Sequence, residues 1–306
     1  MIKNNMFGLD QLPTSVLQAG AIFLSIMIEA LPFVLIGAII SGFIDVFITP
    51  DKVRKLLPKN KFLAILFGTF IGFIFPSCEC GIVPIVNRLL EKKVPSYTAV
   101  PFLVTAPVIN PIVLFATFTA FGNSLLFAFY RALGAIIVSL VLGIILGFFV
   151  KGPILKGSKF DHHQHDYSNK TSWQKVGFAL IHAIDEFFDT GRYLVFGCLF
   201  ASLVQVYIPT AVLTTIGHSP LTAILLMMLL AFLLSLCSEA DAFIGASLLS
   251  SFGFAPVMAF LVIGPMVDVK NLLMMKHYFK GKFIAGFIIT ITLVILGYSL
   301  ILGGVV

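Results

Sequence analysis

Long hydrophobic runs separated by short polar connections make up most of this chain. A helix that crosses a bilayer needs about 20 consecutive apolar residues, and most of the runs approach or exceed that length. The runs at 80–91 and 238–252 are too short to cross. The pattern predicts an α-helical protein that crosses a membrane several times. Its hydrophobic segments lie at 15–48, 61–79, 80–91, 97–121, 124–150, 177–208, 219–237, 238–252, 255–275 and 283–303.

The composition indicates the same class of protein. Hydrophobic residues make up 59% of the 306 residues and charged residues 11%, and the mean hydropathy is +1.05. A soluble domain cannot hide so much apolar surface, so we predict an all-α polytopic membrane protein in contact with the lipid bilayer. The residues up to Pro13 lack the basic start and short apolar core of a cleaved signal peptide. We expect the first helix itself to direct insertion.

The basic residues indicate the orientation of the chain. Most of its 20 Lys and Arg residues fall in four stretches, and such residues are retained on the cytoplasmic side. We therefore predict a multi-pass protein of the inner (cytoplasmic) cell membrane with both termini outside. Because these residues lie in short loops beside apolar helices, we expect no nucleic acid partner. The stretches are 52–61, 88–93, 151–175 and 270–282, whereas the connections near 122–123, 209–218 and 252–256 contain no basic residue.

An internal repeat with a shift of about 160 residues divides the chain into two related halves. We predict a first transmembrane repeat at 1–150, a cytoplasmic linker at 151–176 and a second transmembrane repeat at 177–306. Each half has five hydrophobic segments, an odd number, so we expect two inverted repeats with re-entrant or broken helices. If each hairpin is instead one broken helix, the fold has eight spans and parallel repeats. The matched positions are Glu29 with Asp189, Gly37 with Gly197, Cys78 with Cys237 and Asn110 with Asp268.

The hairpin of the first half turns at the string Cys78-Glu79-Cys80-Gly81, shortly after Pro76. Proline lacks an amide proton and glycine relaxes the backbone, so we expect the helix to break here and to line a cavity. Two thiols and a carboxylate are costly at membrane depth and suit a soft, charged ligand. The alternative is that these cysteines merely pack as small apolar residues, which is what we expect of Cys198.

Three further interruptions of the hydrophobic pattern carry polar residues. The tip of the second hairpin has one thiol and two carboxylates, and the interruptions at 105–111 and 264–268 contain Asn110 and Asp268. Asp268 is either a ligand or a salt-bridge partner of Lys270. We expect carboxylates in this set to accept the protons that thiols release on binding a metal. The predicted substrate-binding residues are Cys78, Glu79, Cys80, Asn110, Cys237, Glu239, Asp241 and Asp268.

Glu29 and Asp189 occupy matching positions in the two long segments, and a carboxylate at membrane depth is a candidate for proton coupling. The competing interpretations are that Asp189 pairs with Arg192 and that Glu29 lies near an interface. The linker contains Asp161-His162-His163-Gln164-His165-Asp166, which has the composition of a weak metal-binding tract. Its candidate ligands are His162, His163 and His165, and the alternative is that the segment is only a flexible linker.

Three strings of this sequence resemble the ArsP-type permease family, a group of predicted permeases. The strings are Phe75–Pro84, Pro101–Pro111 and Gly264–Lys270, and the resemblance covers nearly the whole chain. It implies a transporter, since members with known substrates export toxic soft species, including trivalent organoarsenicals, and some relatives are linked to heavy-metal efflux. Some relatives also look like one half of a two-subunit permease, which makes a second membrane subunit a candidate partner.

The sequence contains no Walker motif, Gly-rich nucleotide loop or Ser-His-Asp arrangement, so we expect neither ATP hydrolysis nor another enzyme activity, and no cofactor. We predict a permease that exports a soft metal, metalloid or organometalloid substrate by alternating access. One alternative is a facilitative carrier or channel for a small polar solute. A second is a membrane thiol-redox protein that uses Cys78 and Cys80.

Overall fold

The computed structural model describes residues 14–49, 53, 57–75, 78–150, 152–156, 172–207 and 219–305 of the chain. Apart from an isolated β-bridge between Leu155 and Phe279, the regular structure of these residues is helical. The prediction of an all-α protein is therefore confirmed. The histidine tract and Pro76 lie outside the described residues.

The helices follow the predicted hydrophobic segments closely. In the first half they are α1 (Thr14–Phe47), α2 (Lys61–Ile74), α3 (Glu79–Glu91), α4 (Ser96–Ile109), α5 (Pro111–Ala120) and α6 (Leu125–Ile144), which ends in a π-helical turn at Ile145–Phe149. In the second half they are α7 (Ser172–Tyr207), α8 (Pro220–Leu234), α9 (Ser238–Phe252), α10 (Phe254–Ile263), α11 (Val269–Tyr278) and α12 (Gly281–Val305).

Among the residues that the structure describes, five helical segments are long and apolar enough to cross a bilayer, which makes this a multi-pass membrane protein. They are Ser15–Phe47, Ser96–Ala120, Leu125–Phe149, Trp173–Val206 and Gly281–Gly304. The helices α2 and α3, of 14 and 13 residues, are different. At 1.5 Å per residue each is about 20 Å long, short of the roughly 30 Å hydrocarbon core.

Interruptions within the hydrophobic segments coincide with residues that disfavour a continuous helix. Asn110 separates α4 from α5 with a ψ of 135°, and Pro111 follows at the first position of α5, where its missing amide proton leaves no bond unmade. Gly264 and Pro265 lie between α10 and α11. Ser235, after α8, takes a left-handed conformation with φ 47°. Each interruption brings backbone and polar side chains to the ends of short helices.

Small residues allow the helices to pack closely around these interruptions. The two longest helices, α1 and α7, run against each other, and Gly42 of α1 faces the backbone of Ala179. Gly37 of α1 faces Gly81 at the start of α3, where an added Cβ would lie 2.6 Å from the Gly81 carbonyl oxygen. Such backbone contacts are typical of membrane helices that associate through small residues. They fix the start of α3 against α1.

A buried network of charged groups joins the two halves. Arg88 of α3 donates from Nε and Nη2 to Glu186 Oε2 of α7, at 3.1 and 2.8 Å, and from Nη1 to Glu91 Oε2 at 2.9 Å. The hydroxyl of Tyr278 donates to the other oxygen of Glu186. Arg88 is only 5% exposed, whereas the sequence analysis places it in a basic connection. Arg88 can be buried because the carboxylate of Glu186, 98 residues away in the sequence, compensates its charge.

Candidate functional site

Residues from both hairpin tips line one small, partly open cavity beside α1. The cavity measures about 10 Å³, which is room for about one water molecule. The tip of the first hairpin, at 78–81, contributes three residues to the lining of this cavity. The tip of the second hairpin, at 237–241, contributes one, and helices α1 and α11 complete the wall. The lining residues are Ile26, Glu29, Ala30, Phe33, Cys78, Glu79, Cys80, Cys237 and Lys270.

The two thiols of the first tip point to the same place. Cys78 is the N-cap of α3 and has an extended backbone, with φ −84° and ψ 172°. Side chains two positions apart on a regular helix do not face each other, but Cys78 precedes the helix, and its side chain lines the same cavity as that of Cys80. The side chains are 8% and 2% exposed. Two soft ligands therefore converge on the cavity.

Glu79 connects this tip to the second half of the chain. Its Oε2 accepts a hydrogen bond of 3.2 Å from the hydroxyl of Ser238, at the start of α9. Its Oε1 lies 3.8 Å from Nζ of Lys270. The carboxylate is only 1% exposed, and an ion pair with additional hydrogen bonds is the arrangement that makes buried charges tolerable. Glu79 thus holds the two tips together.

The second tip presents its own thiol to the same cavity. Cys237 is the N-cap of α9, and its sulfur accepts a hydrogen bond from the amide of Ala240. The thiol also donates to Oε1 of Glu29 on α1. The structure therefore brings together Glu29 and Cys237, which are 208 residues apart in the sequence.

Lys270 belongs to a basic stretch that the sequence assigns to the cytoplasmic side, but the structure buries it in the wall of the cavity. Its side chain is 2% exposed, and it lies in the first turn of α11. Ser235 positions this turn, since its hydroxyl accepts a hydrogen bond of 3.1 Å from the amide of Val269. The available signal in the sequence was a lysine that directly follows an interrupted apolar run.

Arg131 and Ser238 are further residues that the sequence analysis missed. Arg131 of α6 is completely buried. Its Nη1 donates to Oγ1 of Thr117 at 2.7 Å, and its Nη2 donates to the backbone carbonyl of Ser238 at 2.9 Å. An arginine in an apolar helix was the signal that could have identified this position. The contact links α6 to the tip that carries Cys237.

The other predicted site residues lie outside the cavity lining. Asn110 and Asp268 are N-caps, and their side chains accept backbone hydrogen bonds of 2.9 Å from Ile112 and 2.7 Å from Asn271. Glu239 and Asp241 lie in the first turn of α9, and only Asp241 is fully buried. Asp189 is partly exposed and pairs with Arg192. Cys198 is buried in α7. His162, His163 and His165 lie outside the described residues.

The electrostatics of the cavity combine positive helix ends with carboxylates. The N-termini of α3 and α9 both reach the cavity, and each carries a partial positive charge of about one half. Lys270 adds a full positive charge, opposite Glu79 and Glu29. This balance can accommodate the negative charge of thiolates that hold a ligand. Within the described ranges, no three His, Cys, Asp or Glu side chains are grouped as a metal-ion site.

Comparisons with known proteins identify the family. The family model described as "Predicted permease", of ArsP type, matches residues 15–304. A protein of Streptococcus mutans with the provisional name of two-component membrane permease complex subunit is 69% identical over 96% of this chain and 98% of its own length. Protein YcgR of Bacillus subtilis is 49% identical over 95% and 99%. Protein YraQ of Escherichia coli is 21% identical over 86% and 75%.

No solved structure is significantly similar to the chain. The family match extends over all the helices that form the cavity, and the two more similar relatives cover the chain almost from end to end. This chain therefore belongs to the ArsP-type family of predicted permeases.

Proposed function

We propose that this chain is an inner-membrane permease that binds a soft, thiol-reactive metal, metalloid or organometalloid and exports it by alternating access. The observation that carries the proposal is the convergence of three buried cysteines, Cys78, Cys80 and Cys237, on one cavity. Thiolates are the side chains that prefer soft ions. If these cysteines served only as small packing residues, three thiols from two distant parts of the chain would not need to meet at one cavity.

Release of protons is part of this binding chemistry, because a thiol gives up its proton when it binds a metal or metalloid. The Cys237 thiol already donates to Glu29, so Glu29 can accept that proton. Glu79 lies beside the other two thiols and can accept another. The carboxylates lining the cavity therefore serve as proton acceptors during loading and as proton donors during release.

We further propose that the two halves are inverted repeats. The matched residues Cys78 and Cys237 are both N-caps, of α3 and α9. The matched residues Asn110 and Asp268 are likewise both N-caps, of α5 and α11. The N-cap position that each of these two matched pairs shares supports a common origin of the halves. Repeats of this kind bind their substrate at the interface between them, where one half can move against the other.

Movement of the tips is required because the cavity in this conformation has room for about one water molecule. The proposal includes a second membrane subunit, as the name of the Streptococcus mutans relative indicates for that protein. Functional tests are therefore best run in the native host after deletion of this gene, so that a partner subunit is present.

The test is resistance to trivalent arsenicals, antimonials, mercury, copper, zinc and cadmium. We expect wild-type protein to restore resistance to at least one of these toxicants, and Cys78→Ala/Cys80→Ala to reduce it to that of the deletion strain. Cys198→Ala is the matched control, because this thiol is buried but outside the cavity lining, and it should retain resistance. Full resistance with the double variant would refute the proposal and favour a carrier for a small polar solute.

A further inference from the structure

Helix α7 has a charged face that no described part of the chain covers. Its span Trp173–Val206 is centred between Asp189 and Thr190, and at 1.5 Å per residue Asp185 and Arg192 lie about 7 Å and about 4 Å from that centre. Asp185 and Arg192 are exposed, and Asp189, the ion-pair partner of Arg192, is partly exposed. The face therefore carries charges near the middle of a helix that crosses the membrane.

Residue spacing separates this face from the side of α7 that packs against α1 and α11. Buried and exposed residues each recur every three or four positions, which places each set on one face of the helix. The buried set includes Ala179, Ala183, Glu186, Thr190 and Leu194. The exposed set, which we call the outer face of α7, is Ile181, Asp185, Phe188, Arg192, Val195 and Leu199. This spacing is typical of the seam between two packed helices.

Charged residues at membrane depth normally face the interior of a protein or a water-filled cavity, because lipid cannot solvate them. Asp241 shows this arrangement, since it is 1% exposed and lies against the backbone of Gly264, where an added Cβ would be 2.6 Å from Oδ2. Asp185 is exposed instead, and its short side chain cannot extend to the membrane surface as a lysine can. The outer face therefore needs a covering.

The outer face also has room for another helix. Nothing lies within 4 Å of a Cβ built on Gly191, which precedes Arg192. An open glycine lets the backbone of a neighbouring helix approach closely, as in many membrane helix pairs. The outer face therefore has the shape of a helix–helix interface, and its charges show which kind of helix fits.

A second copy of this chain fits the outer face poorly. Copies with the same basic connections insert with the same orientation, so their α7 helices can meet there only in parallel. A two-fold contact of this kind places each residue against itself, and Asp185 would then face Asp185, which is unfavourable. A basic helix fits better. Asp189 and Arg192 neutralise each other, whereas Asp185 has no ion-pair partner among the described residues.

We propose that the outer face of α7 is the docking site of the second membrane subunit, and that a transmembrane helix of this subunit pairs a lysine or arginine with Asp185. The inference rests on the proposed function, because that function includes the second subunit. On its other side α7 contacts Lys270 through Gly197, where an added Cβ would lie 3.0 Å from the lysine Cα. One helix therefore connects the docked subunit to the wall of the cavity.

The first test maps the contacts of the full-length chain in membranes of the native host, without any toxicant. Photoreactive benzoylphenylalanine replaces either Phe188 on the outer face or Leu293, an exposed residue in the middle of α12. After irradiation, mass spectrometry identifies the cross-linked products. We expect position 188 to yield a product with one other membrane protein and position 293 to yield none. A product with a differently tagged second copy, products with lipid only, or the same product from both positions would overturn the inference.

The second test reverses the charge at Asp185. Asp185→Lys should lower the yield of the product from position 188 at least about tenfold, because two cations then face each other, whereas Asp185→Glu should keep the yield within about twofold. Changing the paired lysine or arginine of the subunit to glutamate should restore the yield in Asp185→Lys, which could not happen if this variant were misfolded. An unchanged yield in Asp185→Lys would overturn the inference, as would the lack of any restoring change in the subunit.

These tests separate the docking site from the transported substrate. If the cross-link follows the charge at Asp185 but the chain confers no toxicant resistance, the proposed transport fails and the docking site stands. If resistance depends on Cys78 and Cys80 but position 188 yields no protein product, the transport stands and the docking site fails.

Discussion

At the scale of single residues, the ion pair between Arg88 and Glu186 is a buried contact whose loss should lower the stability of the protein. Both side chains are 5% exposed, and the carboxylate receives hydrogen bonds from the guanidinium and from Tyr278. Removing one partner of a buried pair leaves the other charge uncompensated, which typically costs about 3–5 kcal/mol. An exposed pair on the same helix, Asp189 with Arg192, contributes about 0–1 kcal/mol.

We therefore expect Glu186→Gln to lower the free energy of unfolding by about 3–5 kcal/mol, because Arg88 then loses the more buried of its two salt-bridge partners. Thermal unfolding of the purified protein in detergent would measure this loss as a lower melting temperature. Asp189→Asn is the control and should change stability by less than about 1 kcal/mol. Similar melting temperatures for the two variants would show that the buried network does not hold α3 to α7.

At the scale of helices, the start of α3 is held by its contact with α1 at Gly37. A methyl group there would lie 2.6 Å from the carbonyl oxygen and 2.8 Å from Cα of Gly81. Both are backbone atoms, so a side-chain rotation cannot relieve the clash. Cys80 and Cys78 lie next to Gly81, and any shift of α3 displaces them as well.

Gly37→Ala should therefore destabilise the protein by about 1–3 kcal/mol and abolish toxicant resistance, although every cysteine is retained. Gly20→Ala is the matched control on the same helix, since nothing lies within 4 Å of a Cβ at that position. Melting temperature and resistance of both variants would be compared at equal expression. Full resistance in Gly37→Ala would show that the position of the tip is not set by this contact.

The positions of the helices could be predicted from the sequence because they depend on local patterns. Apolar runs long enough to span the bilayer predict α1 and α7, and the sequences around Cys78 and Asn110 predict the ends of helices. The partners of buried charges could not be predicted in this way. Arg131 and Ser238 are 107 residues apart, and no local pattern specifies which helices pack together. The burial of Lys270 is hard to predict for the same reason, since Glu79, whose carboxylate lies 3.8 Å from the lysine Nζ, belongs to the other half.

At the scale of the whole molecule, the orientation of the halves determines which connections share a side of the membrane. With inverted repeats and a re-entrant first hairpin, Lys59 and Lys93 lie on the cytoplasmic side and Asn123 lies outside. With eight spans and parallel repeats, Lys59 and Lys93 lie on opposite sides. The two topologies therefore differ at positions just before α2 and just after α3.

Single cysteines at these positions, in a chain otherwise free of cysteine, would distinguish the topologies. We expect Asn123→Cys to react with a membrane-impermeant maleimide in intact cells, and Lys59→Cys and Lys93→Cys to react only after lysis. This follows from retention of basic connections in the cytoplasm. Reaction of only one of the two lysine positions in intact cells would establish the parallel arrangement instead.

The close approach of Gly264 to Asp241 also constrains how this molecule can evolve. Any side chain at position 264 would collide with the carboxylate, since an added Cβ would lie 2.6 Å from Oδ2. A lineage that replaces the glycine must therefore shorten, move or lose the acid at 241. A lineage without the acid is free of this contact, although an added Cβ would still lie 3.3 Å from the carbonyl oxygen of Phe260. We therefore expect the two positions to change together, and a change at either one marks a descendant that has altered how it handles the buried charge.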